Sequence, residues 1–115
     1  MARSEGFFKL REGFMVKHLV MFKLAEKTPA NMEKVVSSLK SMEGNIETLR
    51  HLEVGIDFNG SERSFDVILT THFDDREGLK IYAGHKNHQP VRETMRALCS
   101  NSVVIDYETD DSRGR

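Results

Sequence analysis

An α+β fold on the ferredoxin-like split βαβ plan, with a four-stranded antiparallel sheet, is predicted by three observations. Short strand-type and helix-type segments follow one another as β–α–β–β–α–(α)–β. Each helical segment carries one apolar stripe. The strands together offer apolar groups on both sides of the sheet, so both faces need cover.

The first strand is VKHLVMFKL, residues 16–24, β-branched, aromatic and short. Its even face holds His18, Val20, Phe22 and Leu24, and its odd face Lys17, Leu19, Met21 and Lys23. TPANMEKVVSSLKSMEG (28–44) reads as a helix. Thr28 suits the N-cap and Pro29 the first helical position, where no N–H is needed. Met32, Val35, Val36, Leu39 and Met42 fall on one stripe, and Gly44 can adopt the left-handed turn beyond it. LRHLEVGIDF (49–58) alternates strictly, which places Leu52, Val54, Ile56 and Phe58 on one side. NGSERS (59–64) is turn chemistry, and SFDVILTTHF (64–73) is a third strand. DDREGLKIYAG (74–84) is a short helix with an acidic cap. NHQPVRETMRALC (87–99) is a second helical piece that turns Val91, Met95, Leu98 and Cys99 inward. SVVIDYE (102–108) is the last strand.

Two helices on one face leave the other face bare. Leu19, Met21, Ile68, Val103 and Ile105 would lie there, and a large exposed apolar face is unusual in a monomer. A second copy, sheet against sheet about a two-fold axis, covers it, so a homodimer is expected.

The chain has 115 residues, the length of one domain. The domain is expected over 15–108. Residues 1–14 lack clean periodicity and read as a loose arm or a misassigned start, because Glu12-Gly13 requires purine-rich codons just before the Met15 codon. The polar tail 109–115 is expected to be disordered. Seventeen basic and 18 acidic residues give a net charge of −1, which argues against a nucleic-acid partner. No apolar run approaches the ~20 residues needed to span a bilayer. One cysteine, Cys99, cannot form an internal disulfide, and a reducing, cytoplasmic location is expected.

Taken together, VKHLVMFKL, HKNHQPV and VVIDYE resemble the stress-responsive dimeric α/β-barrel (Dabb) family, over about Met15 to Glu108. The resemblance implies two ferredoxin-like sheets paired into a barrel. That family includes plant stress proteins and a plant polyketide cyclase that closes a linear polyketone by aldol chemistry. Related α/β-barrel dimers are cofactor-free oxygenases and chlorite- or haem-linked enzymes. Carried over by position, the cyclase's first-strand pocket histidine matches His18, its catalytic tyrosine Tyr82 and its catalytic histidine His88. A third-strand pocket histidine falls at Val67, and a bulky pocket tryptophan at Cys99. The acid–base pair is therefore kept while the pocket shape differs.

Tyr82 and His88 suit enolisation chemistry. A neutral imidazole can take a proton from carbon beside a carbonyl, and a phenol can hydrogen-bond the oxygen that becomes an enolate. The competing reading makes Tyr82 a core aromatic whose hydroxyl is satisfied by His88. His18 is either a third pocket group or a structural histidine bonded to a backbone carbonyl. Val20, Phe22, Leu69 and Val91 would line an apolar pocket for a small aromatic or polyketone-like ligand. His85 and His88, three apart, lack a third ligand, so no metal is expected, and His85 is assigned to the carbonyls at the helix end. Cys99 has no activating neighbour and reads as packing, as do Met32, Met42 and Met95. Asp74 and Asp75 read as a helix cap. No nucleotide-binding loop is present and histidine alone does not signal haem, so no cofactor is expected. An enzyme and a non-catalytic, stress-protective dimer both fit these residues.

Overall fold

The computed structural model describes residues 14–110. The expected N-terminal arm or alternative start, up to residue 13, and the tail from 111 lie outside the described residues.

The elements are β1 (Met15–Leu24), α1 (Pro29–Lys40), β2 (His51–Ile56), β3 (Val67–Phe73), α2 (Arg76–Ala83), α3 (Gln89–Leu98) and β4 (Cys99–Thr109). The strands form one antiparallel sheet in the order β2-β3-β1-β4. This is the ferredoxin-like α+β fold the segment order predicts. The β1–β4 register places His18 opposite Asp106, Val20 opposite Val104 and Phe22 opposite Ser102.

Local chemistry sets the ends of the elements. Thr28 caps α1 by accepting the Asn31 N–H at 3.1 Å, and Pro29 follows it. Asp75 caps α2 through the Gly78 N–H at 2.8 Å. Gly44 has φ +79°, as expected of a left-handed glycine. It lies in the turn after α1, which ends four residues earlier at Lys40. Gly84, by contrast, closes α2 at φ −99°.

Three strand expectations shift. β2 stops at Ile56, and Phe58 is fully exposed instead of sharing the buried face with Leu52. Asp57 ends the strand there by accepting the Gly60 N–H at 2.7 Å, which folds the chain into a tight turn. β3 begins at Val67, just after Asp66, whose backbone still bonds Phe22 and Asp57. The buried Asp66 carboxylate accepts the Leu24 N–H at 2.8 Å and meets Lys27 at 3.3 Å. β4 starts three residues early, at Cys99, where a bulge opposite Lys23 and Leu24 lets it leave α3 directly.

The core lies between the sheet and the helices. Val16, Phe22, Val67, Leu69 and Phe73 meet Val35, Leu39, Met42, Val91 and Met95 there. Among the described residues, no helix covers the opposite face. Met21, Val103, Ile105 and Tyr107 remain exposed on it.

Candidate ligand site

A cavity of about 610 Å³ opens between α1, α3 and the β1–β4 side of the sheet. Tyr82, His88, His18, Val20, Phe22, Leu69 and Val91 all line it, so the seven positions read from the sequence converge on one space. Cys99 also lines it, and burial raises its thiol pKa, which keeps it protonated. Val67 is buried in the core and is not part of the lining.

Three rings meet at the inner end. The Tyr82 centroid is 4.5 Å from that of His88, 5.0 Å from Phe73 and 5.7 Å from His18. Tyr82 is 2% exposed, yet among the described residues its hydroxyl has no protein hydrogen-bond partner. A buried phenol normally finds one. His88 does not supply it, since its ring packs face-tilted against the tyrosine ring and its Nδ1 turns to the Ala83 carbonyl at 3.1 Å.

That last bond fixes a tautomer. A carbonyl oxygen only accepts, so Nδ1 carries the proton and Nε2 keeps its lone pair. Burial lowers the His88 pKa, and the charges of Arg92, His18 and His85 lower it further, against the opposing Ala83 bond. His88 is thus a neutral imidazole at pH 7. Burial pushes the Tyr82 phenol the other way, well above its ordinary value, so it remains a proton donor in hydrogen bonds. Environments that push two groups apart in this manner are suited to base and hydrogen-bond-donor roles respectively.

Two residues that sequence reasoning did not single out belong here. Asp106 Oδ1 lies 2.5 Å from His18 Nδ1 and orients that ring. His18 is therefore held by a carboxylate, not by the backbone carbonyl that was the alternative. An acidic residue inside the apolar run VVIDYE was the available signal, but it becomes informative only through the β1–β4 register. Arg92, one turn after His88 on α3, stands at the cavity wall.

His85 departs from expectation. It does not cap helix-end carbonyls. Its Nδ1 accepts the Asn87 N–H at 3.0 Å, which leaves Nε2 as the donor to Glu47 Oε1 at 3.1 Å. Its two nitrogens instead tie the α2–α3 link to the segment after α1. Among the described residues, no group of three or more His, Cys, Asp or Glu is arranged to hold a metal ion. No helix there is long and apolar enough to cross a membrane.

With this geometry in place, the relatives are informative. Residues 16–109 match the Stress responsive A/B Barrel Domain. The chain belongs to this family. It is 30% identical over 97 residues to an uncharacterized protein of Streptomyces coelicolor, a match covering 82% of this chain and 99% of that one. A dimeric protein of unknown function with a ferredoxin-like fold from Bacteroides fragilis superimposes with a TM-score of 0.73. The two are 28% identical, and the match covers 85% of this chain and 98% of that one. A hydroxynitrile lyase from Passiflora edulis has the same fold, with a TM-score of 0.73, 11% identity, and 83% and 93% of the two chains covered. At that identity the likeness speaks to fold alone.

Proposed function

We propose that this family member is a cytoplasmic homodimer whose cavity binds a small aromatic or polyketone-like molecule, and that Tyr82 and His88 act on it by cofactor-free acid–base chemistry. The observation that carries the chemical half is the Tyr82 hydroxyl, which is buried at the wall of a cavity and has no protein partner among the described residues. An unpartnered buried hydroxyl of this kind supports a role as donor to a ligand oxygen.

The steps follow from the two protonation states. His88 Nε2 takes a proton from carbon adjacent to a ligand carbonyl. The released electron pair moves onto the carbonyl oxygen, and the Tyr82 O–H hydrogen-bonds the enolate that forms. The enolate carbon then attacks a second carbonyl of the same ligand, and the imidazolium returns its proton to the new alkoxide. Protons balance over the cycle, and no oxidant or metal enters it. The apolar walls keep water from competing for the enolate.

The dimeric half rests on the bare face of the sheet, where Met21, Val103, Ile105 and Tyr107 are exposed in adjoining positions. Pairing two such faces makes a closed barrel. The Bacteroides fragilis protein, described as dimeric, supports this arrangement.

A second reading, a non-catalytic stress-protective dimer, is favoured by the packing of Tyr82. Its ring is already held by Phe73, His88 and His18. The two readings part on one measurement, the deuteration of benzylacetone beside its carbonyl, followed by NMR in deuterated water. Catalysis requires exchange faster than in buffer and a loss of roughly a hundredfold in Tyr82→Phe and in His88→Ala, the usual scale for general acid–base groups. Exchange at the buffer rate favours the second reading. Exchange unaffected by either variant moves the chemistry to other residues.

A further inference from the structure

The two arginines of the cavity lining sit in a wall that holds no carboxylate of its own, Asp106 standing behind His18. They are Arg92 and Arg96, four residues apart on α3. That spacing puts both guanidinium groups on one side of the helix. Arg96 spends part of its charge on Glu93, 3.6 Å away in an exposed contact. The Arg92 guanidinium has no ion-pair or hydrogen-bond partner among the described residues. β4 adds Ser100, Asn101 and Ser102 to the same lining, all capable of donating hydrogen bonds. Val20, Phe22, Leu69 and Val91 supply apolar wall between these groups and the three rings.

We infer that the ligand is an anionic amphiphile, a carboxylate held at the mouth by Arg92 with an apolar body reaching inward to Tyr82. This names the substrate class of the site under Proposed function and rests on that reading. A free guanidinium presents two parallel N–H donors that match the two oxygens of a carboxylate. A cleft lined by one sign of charge between low-dielectric walls also focuses its field on an incoming ion of the opposite sign. The polar groups of β4 add orientation but no opposing charge.

The arrangement couples binding to the base. The charge of Arg92 is one of the factors holding His88 below its ordinary pKa. A carboxylate paired with Arg92 offsets that charge, so His88 becomes the stronger base when the ligand is in place. Arg92 is in this sense a specificity residue whose occupation tunes a neighbour.

The test compares naphthoate with naphthamide of the same ring isomer, alike in shape and different in charge. Binding of each to the full-length protein and to its Arg92→Gln variant is measured by calorimetry, and the His88 ring is titrated by NMR. Naphthoate is expected to bind at least about tenfold more tightly than naphthamide, a difference of about 1.4 kcal/mol, and to raise the His88 midpoint where naphthamide leaves it unmoved. In Arg92→Gln the preference should vanish while naphthamide binds as before, which also shows that the variant is folded. Equal affinities in the unaltered protein, or a preference that survives Arg92→Gln, overturn the assignment and leave the cavity reading standing. If neither compound binds at millimolar concentration, the cavity reading falls and the anion assignment falls with it.

Discussion

On β1, Val16 and Phe22 are buried beneath the helices, whereas Met21, next to Phe22 in the chain, is exposed on the other side of the sheet. The two faces are made from alternate residues of the same strands, since side chains change sides at every step. The helix-covered face has filled most of its space with its own side chains and keeps a cavity beside β4. The open face has no cover among the described residues and ends in exposed Val103, Ile105 and Tyr107. One face is finished within the chain apart from a place for a small molecule. The other asks for a surface as large as itself.

β4 sharpens the contrast because it is an edge strand. It takes part in both faces, and the helices scarcely reach it. Asp106, on its helix side, is free to orient His18, while Ile105 beside it points to the open side. The same strand therefore contributes to the candidate site and to the proposed dimer surface, one residue apart.

The largest effect expected is on the covered face. Phe73 is 0% exposed and packs against Tyr82. Phe73→Ala should cost about 3–5 kcal/mol of stability through lost burial and a residual cavity. Urea unfolding checks it, and a loss below about 1 kcal/mol would mean the face is not the core. On the open face, Ile105→Asp should leave the fold intact and break the dimer. Placing a carboxylate at the centre of an apolar interface in both copies should raise the dimer Kd by roughly a hundredfold or more. Light scattering after gel filtration would show a monomer, and an unchanged dimer would move the interface elsewhere.

A smaller effect depends on pH and touches both faces. Burial lowers the pKa of His88 on the covered face and of His72 on the open face, where the charges of His51 and Lys17 add to the shift. Glu53 opposes it there. In the unfolded chain both titrate near their ordinary value of about 6.5. Below that pH the unfolded chain binds more protons than the folded one, so stability holds above about pH 6.5 and falls as the pH drops. Urea midpoints at pH 7.5 and pH 5.5 check the direction. His88→Gln should flatten the fall, and an equal fall in that variant would remove His88 as a contributor. The smallest stability effect is that of Tyr82→Phe. Its hydroxyl has no protein partner among the described residues, so its loss should change stability by less than about 1 kcal/mol. A larger cost would reveal a structural hydrogen bond and count against a ligand-facing role.

The legibility of the site followed the range of the information. Tyr82 and His88 lie within one local segment, and Val20 and Phe22 alternate with His18 along one strand, and the family resemblance joined the two segments into one site. Asp106 is 88 residues from the histidine it orients. Its partnership depends on register across the sheet, which a sequence reading did not supply. Arg92 lies on a helix whose apolar stripe was evident, but its place at a cavity mouth depends on where β4 passes. Phe58 failed for a related reason: perfect alternation continued past the point where Asp57 turned the chain.

The sequence by itself determined the order of strands and helices, the caps at Thr28 and Asp75, the inward stripe of each helix and the presence of two apolar sides on the sheet. Each of these depends on residues within a few positions of one another, where backbone preference and periodicity act. Tertiary structure alone decided that Asp106 holds His18, that His85 is committed to Glu47 and Asn87, and that a cavity remains between α3 and β4 with Arg92 at its mouth. Those outcomes depend on strand register and on how volumes fill, which are properties of the packed chain and of no local stretch of it.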